Sequence, residues 1–129
     1  MSEQFNLEII SPDKIITKSK VGQVTIPAYE GLMTILKDHI NLVTFLRPGF
    51  IIIDDDKTEE FFVEEGTVEF LNNTLLILSS TIKNIKDLTT NEINEMIQKT
   101  EINIQKNEIK DKEKYILSYK LETLKQIER

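Results

Sequence analysis

Every glycine (Gly22, Gly31, Gly49, Gly66) and every proline (Pro12, Pro27, Pro48) of this chain lies within its first 66 residues. From Thr67 to Arg129 there is neither. Both residues interrupt helices and punctuate turns, so the first part of the chain reads as short strands and the last part is free to form helices. Phe5–Ile9 alternates apolar and polar side chains, as a half-buried strand does. Ser11-Pro12-Asp13 marks a turn, and strands are expected at Ile15–Lys18 and Val21–Ile26. Phe50–Ile53 leads into the acidic turn Asp54–Lys57, and Glu59–Val63 returns. Val68 and Phe70 share one face of the next strand, Asn72-Asn73 makes a two-residue hairpin turn, and the apolar run Thr74–Ser80 follows. Short strands at intervals of about 8–12 residues predict an antiparallel β-sandwich of about ten strands over residues 1–87.

The period then changes. Leu88-Thr89-Thr90-Asn91-Glu92-Ile93 carries a complete helix-start signature. Thr89 is the N-cap, Glu92 closes a capping box, and Leu88 staples onto Ile93. Ile93, Met96, Ile97, Thr100 and Ile104 recur at helical spacing, with Asn107 as a candidate left-handed cap. A second helix places Leu117, Leu121 and Leu124 on one face, beside Ile116 and Ile127. Two such narrow stripes satisfy each other back to back, which predicts a C-terminal α-helical hairpin over residues 88–129.

Composition removes several functions. There is no cysteine, hence no disulfide and no thiolate nucleophile. No apolar run reaches the length needed to span a membrane, and Met1–Gln4 has no signal-peptide character. The net charge is −6. It is unevenly spread, with 8 basic and 14 acidic side chains in residues 1–87 but 6 and 4 in residues 110–129. An acidic body argues against nucleic acid, whose recognition depends on neutralising phosphates. The basic tip of the second helix reads first as a solvated helix face and second as a surface for an acidic partner.

His39 is the single histidine, and no catalytic partner is fixed beside it in the sequence. Asp54–Asp56 lacks the spacing of a calcium loop, and no phosphate-binding glycine loop occurs. No catalytic residue, metal site or cofactor is therefore expected. A hydrolase using His39 with Ser11 or Ser79 is the remote enzymatic alternative.

The segment Ile26–Gly49, IPAYEGLMTILKDHINLVTFLRPG, resembles the signature of ATP synthase epsilon subunits, roughly P-x-x-E-G-x-x-G-I-L-P-x-H-A-P-L-x-T-x-L-x-P-G. Pro27, Glu30, Gly31, Ile35, Leu36, His39, Leu42, Thr44, Leu46, Pro48 and Gly49 match it. Ile9–Asp13 is similar to the family's opening V-V-S/T-P-E, and Phe62–Phe70 to V-x-G-G-x-x-E-V. Thr34, Lys37, Ile40, Asn41 and Glu65 depart from the usual Gly, Pro, Ala, Pro and Gly. The two lost prolines make the Lys37–Asn41 loop less rigid, and glutamate at 65 resists the positive φ that glycine tolerates.

The resemblance implies a non-catalytic rotor subunit of a proton-translocating ATP synthase. Its sandwich would dock on the gamma subunit and the c-ring in the central stalk. Tyr29, Glu30, Gly31, Leu32, Met33, Asp38 and His39 are the interface candidates. Its helical arm would meet the alpha and beta subunits transiently and hinder ATP hydrolysis, with Lys110, Lys112, Lys114, Leu117 and Leu121 as regulatory residues. The chain would be peripheral, on the cytoplasmic face of the inner membrane. Some relatives bind ATP through arginines of the helical domain; here none lies between Arg47 and Arg129, so that site does not carry over. The alternative from another class is a β-sandwich adaptor or peptide-binding module with a helical dimerisation arm.

Overall fold

Alternation decides which side chains turn inward. Phe5, Leu7 and Ile9 are buried along the first strand while Asn6 is exposed. The computed structural model describes residues 3–106 and 110–127; Asn107, the expected helix cap, lies outside them. Ten strands precede two helices: β1 Phe5–Ile10, β2 Ile15–Val21, β3 Gln23–Ala28, β4 Gly31–Ile35, β5 Leu42–Leu46, β6 Gly49–Asp54, β7 Thr58–Val63, β8 Gly66–Leu71, β9 Thr74–Leu78 and β10 Lys83–Asn84. A turn of 3₁₀ helix, Ile85–Asp87, leads to α1 Thr90–Ile104 and α2 Asp111–Gln126.

The strands pair as two sheets, β4-β3-β6-β7-β10 and β5-β8-β9-β1-β2, joined by the Ala28↔Leu46 rung between β3 and β5. All pairings are antiparallel except β1 with β9, which run parallel from Asn6↔Thr74 to Ile10↔Leu78. Between the sheets lies one apolar core built from both, including Phe5, Leu7, Ile26, Ile35, Ile51, Phe61, Phe70 and Ile77. Phe5 and Phe70 meet edge to face, with ring centroids 5.7 Å apart.

Turn chemistry follows the sequence at most corners. Asn72 and Asn73 take φ of 50° and 56°, the left-handed pair that a tight hairpin between β8 and β9 requires. Asp54–Lys57 closes β6 onto β7, with Thr58 Oγ1 donating to Asp54 Oδ1. Two expectations move. The break between β2 and β3 falls at Gly22 rather than at Ser19-Lys20, because β2 keeps pairing with β1 as far as Phe5↔Val21. Strand β9 stops at Leu78, since Ser79 turns its hydroxyl onto Glu65 O at 2.7 Å.

The glycine-to-glutamate departure is absorbed locally: positive φ occurs at Gly66, not at Glu65. The loop expected to loosen without its prolines is tied by side chains. Asp38, at φ 65°, donates its amide to Asn73 Oδ1 at 2.7 Å and accepts from Asn73 Nδ2 at 2.9 Å.

The helices lie on the first sheet. Phe62, on the face of β7 turned away from the core, is fully buried with Leu88, Ile93, Leu124 and Ile127, flanked by Phe50, Ile85, Met96 and Ile97. Full burial of such side chains contributes roughly 1.5–3 kcal/mol each, more than helices of this length obtain from propensity alone. The start of α1 forms as its sequence dictates. Glu92 N donates to Thr89 Oγ1 at 3.1 Å, and Thr89 N donates to Glu92 Oε1 at 3.2 Å. The Thr89 amide, then the Thr89 hydroxyl, with Lys83 nearby, hold the Glu92 carboxyl below the ordinary glutamate range.

A lowered folded-state value contributes stability above the unfolded carboxyl range, and that contribution is lost as pH falls through the folded value. Replacing Thr89 with Ala should cost the arm about 1 kcal/mol and reduce this acid limb in part, since the Thr89 amide, the larger cause, remains. Amide exchange of α1 between neutral and acid pH is the measurement; an unchanged acid dependence would show that the box does not carry it.

Candidate functional site

The signature segment is first a structural clasp. Arg47 N donates to Pro27 O at 2.9 Å, and Tyr29 N donates to Phe45 O at 3.0 Å, closing β3 against β5. A Cβ at Gly49 would stand 2.6 Å from Pro27 Cβ, so only glycine lets β6 begin there. Gly31 follows the Tyr29-Glu30 turn at φ 133°, a conformation that L side chains rarely adopt. The buried Thr44 hydroxyl donates to Glu30 Oε1 at 2.6 Å. That bond, followed by Glu30's own amide, lowers the exposed carboxyl below its ordinary value.

On the outside of the clasp the second sheet is apolar where water should be. Val43 is 72% exposed and Phe45 57%, with Leu71 and Leu78 also exposed on neighbouring strands. Tyr29, 51% exposed, leans on Phe45 with ring centroids 6.4 Å apart. A groove of about 710 Å³ runs along this face, lined by Ile10, Pro12, Tyr29, Phe45 and Leu78 with Ser79 and Glu65 on its polar side. A cluster of this kind marks an interaction surface rather than a scatter of surface apolar residues.

The expected interface residues are dispersed by the fold. Tyr29 and Glu30 lie at the Leu46↔Gly66 end of the β5–β8 ladder, whereas Asp38 reaches the β8–β9 hairpin beyond the Leu42↔Phe70 end. Four residue steps separate these ends, roughly 13 Å. Met33 packs against the core. Leu32 is exposed instead beside Arg47, Phe50 and Tyr119, between sandwich and helices. His39 Nδ1 donates to Ile40 O at 2.7 Å, and its ring meets Phe70 edge on. Ser11 and Ser79 donate to Lys14 O and Glu65 O. These commitments to neighbouring carbonyls assemble no catalytic pair.

In the arm, Lys110, Lys112 and Lys114 are exposed and Leu117 and Leu121 half-buried, while Leu124 does the deepest packing. Lys120, counted with the basic tip in the sequence, turns back to Glu64 at 2.6 Å. The Arg47 guanidinium lies 4.1 Å from the centre of the Tyr119 ring.

Comparison with known proteins agrees with the signature. The family description "ATP synthase, Delta/Epsilon chain, beta-sandwich domain" matches residues 4–85. An ATP synthase epsilon chain of Pelagibacter ubique (strain HTCC1062) is 44% identical over 127 residues, covering 97% of this chain and 98% of that one. The chain belongs to the ATP synthase epsilon family. A second epsilon chain, from Rhizobium meliloti (strain 1021), is 32% identical across 68% of this chain and 67% of its own. Among solved structures the fold recurs in a chain of the Euglena gracilis mitochondrial ATP synthase (OSCP/F1/c-ring), with TM-score 0.80, 19% identity, and 95% and 80% of the two chains covered. It recurs in the central stalk and c-ring of the Tetrahymena thermophila enzyme, with TM-score 0.63, 15% identity, and 97% and 96% covered.

Within this epsilon family's signature, Val43 and Phe45 occupy positions that the pattern leaves open, whereas Thr44 and Leu46 point inward. The apolar outer surface was therefore missed by motif. Its signal was available: Leu42-Val43-Thr44-Phe45-Leu46 and Leu75-Leu76-Ile77-Leu78 are apolar at both parities, which calls for cover on both faces. For the clasp itself, Thr44→Val should raise the Glu30 carboxyl back toward the ordinary glutamate value. Carbon-detected NMR titration of that carboxyl reads the shift, and an unmoved midpoint would remove Thr44 as its cause.

Proposed function

We propose that this epsilon chain is a non-catalytic rotor subunit that couples proton flow to ATP synthesis, docked on the gamma subunit and the c-ring at the cytoplasmic face of the membrane. Family membership supports the assembly. The observation that carries the docking is the apolar outer face of the second sheet, with Phe45, Val43, Tyr29 and Leu78 uncovered and a groove along Tyr29, Phe45 and Leu78. The first sheet is apolar on both sides too, but the chain's own helices cover it. The second sheet is left for another polypeptide, and gamma is the occupant to which we assign it. The turn carrying Glu30 and Gly31 and the loop carrying Asp38 and His39 lie at its two ends, positioned for the c-ring and gamma contacts. Among the described residues no helix is long and apolar enough to cross a membrane, in keeping with a peripheral role.

Residues 1–87 serve as the docking unit and residues 88–129 as a regulatory arm. In support, the main core draws on no arm residue among the described ones. Among the described residues, the arm's hold includes a small apolar cluster, one cation–π contact and one ion pair. A second surface is able to compete for such a hold, because ligands shift populations only by differential affinity. Lys110, Lys112 and Lys114, exposed at the start of α2, then face the acidic loops of the catalytic subunits.

Phe45→Asp should leave the isolated chain folded, since Phe45 is already in water, and abolish co-purification with gamma. Retained binding would move the docking face elsewhere. Removing residues 88–129 should keep synthesis coupled and raise ATP hydrolysis modestly at low salt. Hydrolysis that does not change at any salt concentration would remove the inhibitory role of the arm. The truncated chain is expected to fold with lower solubility, because Phe62 and Phe50 lose their cover.

A further inference from the structure

The docked arm touches the sandwich in two chemically different ways. At its base, Leu124 and Ile127 bury Phe62. One turn earlier on α2, two adjacent residues make polar contacts. The ring of Tyr119 stacks under the Arg47 guanidinium, and Lys120 pairs with Glu64. Before them, residues 111–115 are exposed, so the polar contacts sit between a free tip and an apolar base.

We propose that the Arg47–Tyr119 and Glu64–Lys120 contacts form a latch that sets how much of the time the arm is docked, and that ionic strength releases it. The latch operates within the isolated chain, whatever the arm does in a larger assembly. Its sandwich half is pre-positioned. Arg47 and Glu64 flank the Gly49↔Val63 rung that begins the β6–β7 ladder. Arg47 is fixed by its amide on Pro27 O and by Nη1 donating to Pro48 O at 3.4 Å. Glu64 is fixed by its amide donating to Thr81 Oγ1 at 3.0 Å. The helix half is ordered as well: the Tyr115 and Tyr119 hydroxyls lie 2.9 Å apart, with the rings edge to face. Two receptors side by side thus meet two adjacent helix residues without reorganisation, which cuts the entropy cost of closing the pair.

The ion pair is partly shielded, at 21% and 31% side-chain exposure, yet water and ions reach it. Salt therefore weakens it, as it weakens the longer-range attraction between an acidic body and a basic arm tip. Burial of Leu124 and Ile127 is not weakened in this way. The sign of the salt response therefore separates latch from base.

Amide hydrogen exchange of α2 in the full chain reads the docked fraction, because a released helix of this length frays. Protection of α2 should fall as NaCl rises from about 20 to about 500 mM. At low salt Lys120→Gln and Tyr119→Leu should each lower protection about threefold. Lys120→Gln should also flatten the salt response, and the paired exchange Glu64→Lys with Lys120→Glu should restore both. Protection that holds or rises with salt would overturn the latch. So would a fall with salt that the variants leave untouched, since the screened attraction would then lie elsewhere. Should one variant fail to fold, as far-UV circular dichroism reports, the other variant and the paired exchange are read against the same salt series, and unchanged protection in those that fold overturns the latch.

Discussion

Among the described residues, strand pairing joins the two sheets of this molecule at one place. Between β3 and β5 a single rung, Ala28↔Leu46, is reinforced by Arg47 N on Pro27 O and Tyr29 N on Phe45 O. Between the sheets, side chains of both fill a shared apolar core. Short-range constraints make the stitch possible: a glycine at 49 that admits the Pro27 ring, a turn that closes on Gly31, and a buried threonine that holds the turn's carboxylate. The clasp also fixes two surfaces at once. Tyr29 and Phe45 face outward on one side of it, and Arg47 faces the helices on the other.

A layer argument unites the rest. A strand that is apolar at both parities has to be covered twice, because its alternate side chains leave the sheet in opposite directions. In the first sheet, Ile51 and Phe61 enter the core while Phe50 and Phe62 lie under the helices. In the second, Leu75 and Ile77 enter the core while Leu78 and Phe45 meet solvent. The helices are thus the first sheet's outer layer, and the second sheet's outer face is the one left open for the docking we propose.

What was legible in the sequence was what short-range physics controls. The capping box at Thr89 and Glu92, the Asn72-Asn73 turn, the inward set Phe5, Leu7 and Ile9, and the change of period after residue 87 all depend on neighbours within a few positions. Among the interface candidates, strand parity turns Met33 inward and Leu32 toward the helices, a division the signature does not show. Lys120 was counted among free charges because its partner, Glu64, is 56 positions away. The loop from Lys37 to Asn41 lost its prolines and gained Asp38–Asn73, a tie across 35 positions. The Lys120–Glu64 and Asp38–Asn73 contacts are long-range pairings, on which local pattern is silent.

The one parallel pairing has its own consequence. Strand β1 closes with β2 as a local hairpin, but its other edge waits for β9, 68 positions further on at Asn6↔Thr74. On the ribosome, β1 therefore emerges ahead of the strands it must join and gains its second neighbour only when β9 is out. Until Leu78 is out, the apolar row Phe5, Leu7 and Ile9 has no complete sheet to join. Closing so long a loop is entropically slow, and an unpaired edge meanwhile invites wrong partners. The hairpin's other strand offers some insurance, since β2 places Lys18 and Lys20 along the exposed rim, where their charge discourages a stray strand from adding on.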